Sequence, residues 1–148
     1  MRIAIVGAGR WGAIHCQKVK MHPSAELAGV VDCQMSKAIA LAGTFETLSY
    51  ASLTDCVAAD ALIIATPIQG LAALTEEALA LGIPFLVEKP LSIKTQTLRA
   101  LMDEWGTHLQ LGRVGYQLRY HPLLLSLKKQ RAYRFVRHEE HFTSVESL

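Results

Sequence analysis

Short apolar runs alternate with amphipathic stretches along most of the chain. The runs have the length and composition of buried strands, and they lie at residues 3–6, 25–31, 61–65, 85–87 and 109–114, with a shorter candidate at 47–50. The stretches between them predict helices over 11–21 and 36–42, around Leu71, Leu74 and Ala78, and from an N-cap at Ser92 to Gly106. This alternation predicts an α/β fold built on a doubly wound parallel sheet, in which ligands bind beyond the carboxyl ends of the strands.

A glycine-rich motif follows the first apolar run. It consists of Gly7, Ala8, Gly9, Arg10, Trp11 and Gly12, with the G-x-G-x-x-G spacing of a dinucleotide-binding turn. The first glycine permits the tight turn from strand to helix, the second lets backbone N–H groups approach a pyrophosphate, and the third lets the helix pack close to the strand. We therefore expect these residues to bind a dinucleotide at the N-terminus of the first helix, where unpaired N–H groups favour an anion.

An acidic residue ends the second apolar run, 20 residues after Gly12. This residue, Asp32, stands where a carboxylate is expected to accept hydrogen bonds from both hydroxyls of the adenosine ribose. The same carboxylate would repel a 2′-phosphate, so the sequence favours NAD over NADP. Lys37 lies nearby and leaves NADP as the less favoured cofactor.

Composition and charge narrow the classes of partner. The 148 residues suit one domain with a substantial core, and the apolar fraction of 51% excludes a disordered chain. A net charge of +2 does not indicate a nucleic-acid partner, and we interpret the seven basic and three acidic residues of 113–148 as a solvated surface. The N-terminal apolar stretch is too short for a signal peptide or a membrane span, which predicts a cytoplasmic protein without a membrane partner. Three cysteines without C-x-x-C spacing predict reduced thiols rather than a disulfide or metal framework.

Two further pairs of chemically useful residues stand directly after predicted strands. Thr66 and Pro67 end the run 61–65, and Glu88 and Lys89 follow the run 85–87. Because the carboxyl ends of parallel strands meet at one edge of the sheet, we expect both pairs to share one cleft with the glycine motif.

These motifs, taken in order, resemble the glucose-fructose oxidoreductase, inositol dehydrogenase and rhizopine-catabolism (Gfo/Idh/MocA) family. Besides the glycine motif, the resemblance rests on the segments Ala65-Thr66-Pro67, Val87-Glu88-Lys89-Pro90-Leu91 and Gly115-Tyr116-Gln117-Leu118-Arg119-Tyr120-His121-Pro122. It covers about residues 1–122. The Glu-Lys-Pro tripeptide and the later Arg-aromatic-x-Pro segment are far more specific than the glycine motif, which many dehydrogenases share.

The family resemblance implies NAD(P)-dependent hydride transfer at a carbon of a sugar, a cyclitol or a related polyhydroxy compound. It implies that Lys89 is catalytic, lying beside the nicotinamide and stabilising negative charge on the substrate oxygen. Glu88 is expected to position Lys89 or the nicotinamide ribose, and Pro90 to fix a cis or otherwise rigid turn. By the same resemblance, Thr66 and Pro67 line the cofactor cleft, and Arg119 reaches towards the cofactor.

The resemblance also implies a second α/β domain that supplies a substrate pocket and an Asp-x-x-x-His catalytic pair. We expect a Rossmann domain over 1–120 and the start of this second domain over 121–148, as a helix at 123–129 and a strand at 133–142. The catalytic pair is not found within residues 1–148. An exposed strand edge in the tail predicts a homo-oligomer formed through the tail.

Two classes of function stay open at this point. The first is an oxidoreductase whose site is completed by another subunit or by a longer polypeptide. The second is a non-catalytic NAD-binding module with a regulatory or interaction role, because cofactor recognition needs only the residues named above. We interpret His121, His138 and His141 as ordinary polar residues rather than metal ligands, since positions 138 and 141 point to opposite faces of a strand.

Overall fold

A computed structural model describes residues 1–56 and 59–129 of the chain. The strands are β1 (Arg2–Val6), β2 (Glu26–Val31), β3 (Ser49–Tyr50), β4 (Ala61–Ile64), β5 (Phe85–Val87) and β6 (Gly112–Val114). The helices are α1 (Arg10–Met21), α2 (Met35–Thr44), α3 (Ile68–Ala80), α4 (Thr95–Trp105) and α5 (Pro122–Lys129), with 3-10 turns at Leu109–Leu111 and Gln117–Tyr120. By its internal contacts the chain divides into two compact units, one up to Gly115 and one from Tyr116 onward.

The first unit is a six-stranded parallel sheet. Its strand order is β3-β2-β1-β4-β5-β6, so the order reverses beside β1 and a crevice opens between the carboxyl ends of β1 and β4. Doubly wound sheets bind their ligands at such a reversal. The predicted fold class is therefore confirmed, and the topology places the turn after β1 at the edge of this crevice.

Alternate residues of β1 supply two hydrophobic cores, one on each face of the sheet. Ile3 and Ile5 pack with α1 and α2, whereas Ala4 and Val6 pack with α3 and α4. Burial on both faces explains why these strands read as unbroken apolar runs rather than as alternating ones. It also fixes which side of each helix meets the sheet, and on α1 that side carries Gly12, Cys16 and Val19.

Two sequence predictions in this unit are wrong in detail. Ser92 does not cap a helix, because its hydroxyl bonds to the backbone N–H and C=O of Lys94 in a local turn and α4 begins only at Thr95. The apolar run 109–114 is not one strand. Its first half forms the 3-10 turn, in which Leu111 N–H donates to the His108 carbonyl, and only Gly112–Val114 pairs with β5.

The second unit contains the 3-10 turn Gln117–Tyr120 and α5. The predicted helix at 123–129 corresponds to α5, whereas the predicted strand at 133–142 and the tail-mediated oligomer lie outside the described residues. Among the helices that the structure describes, none is both long enough and apolar enough to cross a membrane.

Candidate functional site

The three glycines of the turn from β1 to α1 differ in what surrounds them. Gly7 has φ +110°, and a Cβ there would lie 2.7 Å from the Ala65 carbonyl oxygen of the neighbouring strand end. A Cβ on Gly12 would overlap the Gly7 carbonyl oxygen, so this glycine lets α1 sit directly against the turn. Gly9 differs from both, because a Cβ there would meet nothing within 4 Å. The second glycine therefore faces an open space that the fold itself does not fill.

The N-terminus of α1 borders that open space. Gly9 is the N-cap residue and provides no side chain to cap the helix, and no acidic residue stands in the first turn. The first N–H groups of a helix have no partner within the helix, and together with the helix dipole they attract an anion. Arg10 and Trp11, the first two residues of α1, are exposed beside these groups. The first turn of α1 thus offers backbone donors to a phosphate and carries no carboxylate of its own.

Asp32, at the end of β2, is tied to the glycine motif by a direct hydrogen bond. Ala8 N–H donates to its Oδ2 at 2.8 Å, and Gln34 N–H donates to its Oδ1 at 2.8 Å. An ionised carboxylate has about four acceptor sites, so Oδ2 retains one for a ligand, and the second site of Oδ1 meets only the weak thiol donor of Cys33 at 3.8 Å. The side chain is half-buried and fixed in place, which suits it to accept two neighbouring hydroxyl groups.

Thr66 and Pro67 follow β4 on the other side of the crevice. Pro67 is the N-cap residue of α3. The hydroxyl oxygen of Thr66 is buried and has no hydrogen-bond partner among the described residues. A buried polar atom without a partner is costly, and Thr66 is part of the lining of the cavity described below.

Glu88 and Lys89 follow β5. Glu88 is only 8% exposed, and its backbone N–H donates to the Ile64 carbonyl of β4 at 2.9 Å. Its carboxylate Oε1 accepts a hydrogen bond from His15 Nε2 at 2.8 Å, and its Oε2 accepts from Lys89 N–H at 3.3 Å. The side chain of Lys89 is exposed, and the Lys89–Pro90 peptide bond is cis.

Sequence reasoning missed His15 as a member of this site. The signal was its position on α1, three residues after Gly12 and four before Val19, on the side of the helix that meets the sheet. A polar residue in such a buried stripe needs a partner. Only the folded chain shows that this partner is Glu88.

A cavity of about 100 Å³ collects most of the predicted residues of the nicotinamide end. It is lined by Trp11, Ala65, Thr66, Ile68, Leu71, Glu88 and Lys89. The cavity brings together Thr66, Glu88 and Lys89, but of the glycine motif only Trp11 lines it, and Pro67 does not. Arg119 lies in the 3-10 turn of the second unit, and its reach towards the cofactor stays a prediction.

The cysteines divide into two buried thiols and one exposed thiol. Cys16 and Cys56 are buried, whereas Cys33 is exposed directly after Asp32. Burial raises the pKa of the Cys16 thiol to about 11, and it also raises the pKa of Cys56. None of the three is in a disulfide.

The hydrogen-bonding groups along the crevice match the parts of a nicotinamide dinucleotide, both in type and in their sequence from one end of the crevice to the other. Uncapped backbone N–H groups lie beside the open face of Gly9, where a pyrophosphate would be held. A fixed carboxylate stands at the end of β2, where an adenosine ribose would need an acceptor, and Thr66 lines the cavity after β4.

The fold and this turn define a dinucleotide-binding Rossmann domain. The family model described as an oxidoreductase family with an NAD-binding Rossmann fold (Gfo/Idh/MocA) matches residues 1–116. The chain therefore belongs to the Gfo/Idh/MocA oxidoreductase family.

Individual relatives agree with this assignment. The chain is 36% identical over 120 residues to inositol 2-dehydrogenase of Leifsonia xyli subsp. xyli, covering 76% of this chain and 35% of that protein. It is 31% identical over 131 residues to UDP-N-acetylglucosamine 3-dehydrogenase of Acidithiobacillus ferrooxidans, covering 87% and 41%. The crystal structure of a myo-inositol dehydrogenase from Corynebacterium glutamicum superposes with a TM-score of 0.79 at 27% identity, covering 92% of this chain and 42% of that one. The chain thus spans about two fifths of the length of these relatives.

Proposed function

We propose that this chain is the cofactor-binding part of an oxidoreductase that transfers hydride between nicotinamide and a carbon of a sugar-like or cyclitol-like substrate. The observation that carries the proposal is the open face of Gly9, which a Cβ would not fill, on the same turn as Trp11, which lines a cavity together with Lys89. An anion site and an ammonium group are thereby available at one crevice, as a dinucleotide and a reacting hydroxyl together require.

In this proposal each part of the cofactor has its own partners. The backbone amides of Gly9, Arg10 and Trp11 hold the pyrophosphate, with Gly7, Ala8 and Gly12 shaping the turn. Asp32 accepts hydrogen bonds from the adenosine ribose and repels a 2′-phosphate, which favours NAD over NADP. Thr66 and Pro67 line the nicotinamide half together with Glu88.

Lys89 is the proposed catalytic residue. Bound nicotinamide would accept or supply the hydride. The ammonium group of Lys89 donates a hydrogen bond to the substrate oxygen and stabilises the negative charge that develops there as the hydroxyl proton passes to the acid/base histidine that the family resemblance implies in the second domain. The exposed position of Lys89 at the rim of the cavity allows its side chain to reach such an oxygen.

The names of two relatives support the substrate class. One is an inositol 2-dehydrogenase and the other a UDP-N-acetylglucosamine 3-dehydrogenase. Inositol is a cyclitol and N-acetylglucosamine is a sugar, and both carry secondary hydroxyl groups on a six-membered ring. We therefore propose a ring-borne secondary alcohol as the reacting group.

Calorimetric titration of the 148-residue chain with NAD⁺, NADH and NADP⁺ tests the cofactor assignment. We expect NAD⁺ and NADH to bind and NADP⁺ to bind more weakly. Cofactor reduction over a panel of cyclitols and sugars tests the reaction in a polypeptide that also carries a substrate domain, where Lys89→Met should retain NADH binding and lose turnover. Absence of NAD⁺ and NADH binding to the chain would refute the proposal, and binding without turnover in the longer polypeptide would favour a non-catalytic NAD-binding module.

A further inference from the structure

We propose that His15 and Glu88 form a positioning pair that couples α1 to the Glu88–Lys89–Pro90 turn and thereby sets the affinity for the nicotinamide half of the cofactor. The inference rests on the proposed function, since it assigns a role within the same cofactor site. Neither residue needs to touch the reacting atoms. The pair would act through the placement of Lys89 and of the cavity wall.

The contact joins two elements that are distant in the sequence. His15 Nε2 donates to Glu88 Oε1 at 2.8 Å, and the two residues are 73 positions apart in the sequence. The two side chains are 16% and 11% exposed, so water competes little for either partner. The hydrogen bond therefore ties the first turns of α1, which carry the proposed pyrophosphate site, to the carboxyl end of β5.

The backbone on either side of the Glu88 side chain is held by the sheet. Glu88 N–H donates to the Ile64 carbonyl at 2.9 Å, and Gly115 N–H donates to the carbonyl of the preceding residue, Val87, at 2.8 Å. The Glu88 carboxylate is therefore the group that contacts the Glu88–Lys89–Pro90 turn. The carboxylate then bonds on one side to His15 and on the other to Lys89 N–H, at 3.3 Å. Glu88 thus bridges the helix and the backbone of the proposed catalytic lysine, which favours positioning of Lys89 over a direct bond to the nicotinamide ribose.

The location of the His15–Glu88 pair supports a role in cofactor binding rather than in the stability of the core alone. A buried pair of ionisable groups is weak evidence for stability, because the cost of removing both groups from water offsets their attraction. Glu88 lines the cavity together with Trp11 and Lys89, and His15 lies behind it on α1, three residues beyond Gly12. A shift of Glu88 would therefore move the cavity wall, whereas Gly9 is not part of that wall.

A comparison of two ligands tests the inference by calorimetry. ADP-ribose carries the adenosine, the pyrophosphate and a second ribose, whereas NADH adds the nicotinamide. For His15→Ala we expect the NADH affinity to fall about tenfold through the misplaced cavity wall, a change that corresponds to about 1.4 kcal/mol, while the ADP-ribose affinity stays within about twofold. His15→Gln, whose amide can still donate to Glu88, should recover most of the NADH affinity.

The controls separate positioning from folding. His22→Ala changes an exposed histidine just beyond the end of α1 and should leave both affinities unchanged. If His15→Ala does not fold, His15→Asn, which keeps a polar group but shortens its reach, should show the same selective loss. Equal losses of NADH and ADP-ribose, or no loss of NADH, would overturn the inference. Failure of the unaltered chain to bind either ligand would overturn the proposed function as well.

Discussion

Substitution by alanine should lower the thermal stability at Gly12 and the cofactor affinity at Gly9. Gly12→Ala places a Cβ onto the Gly7 carbonyl oxygen. Gly7 cannot yield easily, because its N–H donates to the Val31 carbonyl at 2.7 Å and its own surroundings are tight. Helix α1 must therefore move away from the sheet and from its packing against Ile5.

The cost of this movement exceeds the gain in helix propensity. Overpacking of this kind costs about 1–3 kcal/mol, and a clash with backbone belongs at the upper end of that range. Replacing Gly by Ala inside a helix returns about 1 kcal/mol. The net loss of about 1–2 kcal/mol corresponds to a fall in Tm on the order of 5–10 °C for a unit of this size.

Gly9→Ala should leave stability nearly unchanged and weaken cofactor binding. Gly9 has φ −89° and ψ −169°, an extended conformation that alanine adopts readily, and its Cβ would point into open space. That space is where the pyrophosphate would approach the amides of α1. Loss of one hydrogen bond to a charged group costs about 1.5–3 kcal/mol, or roughly 10- to 100-fold in Kd.

Thermal unfolding and NADH titration of the two variants, run beside the unaltered chain, check this reasoning. Gly12→Ala should have a lowered Tm. Gly9→Ala should have a raised Kd for NADH, while its Tm stays within about 2 °C of that of the unaltered chain. A Gly9→Ala variant that binds NADH with full affinity would refute the placement of the pyrophosphate. A Gly12→Ala variant with unchanged Tm would refute the close approach of α1 to the turn.

Three further outcomes follow from side chains of the crevice. NADH should quench tryptophan emission, and Trp11→Phe should abolish most of that quenching, because Trp11 is 52% exposed and lines the cavity. A thiol reagent at pH 8 should label Cys33 rapidly, whereas it should label Cys16 and Cys56 only after unfolding, because burial raises the pKa of both buried thiols and keeps them protonated. Bound NAD⁺ should slow the labelling of Cys33, and a labelling rate that NAD⁺ does not change would contradict the adenosine site. Asp32→Ala should weaken NAD⁺ binding and narrow its advantage over NADP⁺ in calorimetry, and an unchanged preference would show that Asp32 does not select the cofactor.

Local pattern was sufficient to predict the sheet and its glycine turn. Strands β1, β4 and β5 are buried on both faces, so each appears as an unbroken apolar run bounded by turn residues. The end of the sheet was harder, because Leu109–Leu111 is as apolar as a strand and yet forms a 3-10 turn. Arg113 stabilises that turn by donating to the carbonyls of Gln110 and Gly112, a side-chain contact that no periodicity reveals.

The connections within the candidate site lay beyond sequence reasoning for a different reason. The residue types at the strand ends were predicted, but their partners are set by the fold. Asp32 bonds to Ala8 N–H across 24 positions, and Glu88 bonds to His15 across 73. Neither pairing has a local spacing that marks it, because each depends on which strands become neighbours of β1.

These two pairings hold the N-terminal part of α1 from both sides. One carboxylate bonds to the glycine turn just before α1 begins, and the other bonds to the helix three residues after Gly12. Both carboxylates are thereby fixed by protein partners before any ligand arrives. Ordering side chains on binding costs conformational entropy, so a site whose side chains are already ordered binds its ligand with less loss of free energy. Loss of the hydrogen bond between Glu88 and His15 should weaken binding of the nicotinamide half of the cofactor. Loss of the hydrogen bond between Asp32 and Ala8 should weaken binding of the adenosine half. The NADH affinity falls in both cases and does not distinguish the two losses. The ADP-ribose titration does, because only the loss at Asp32 should appear in it.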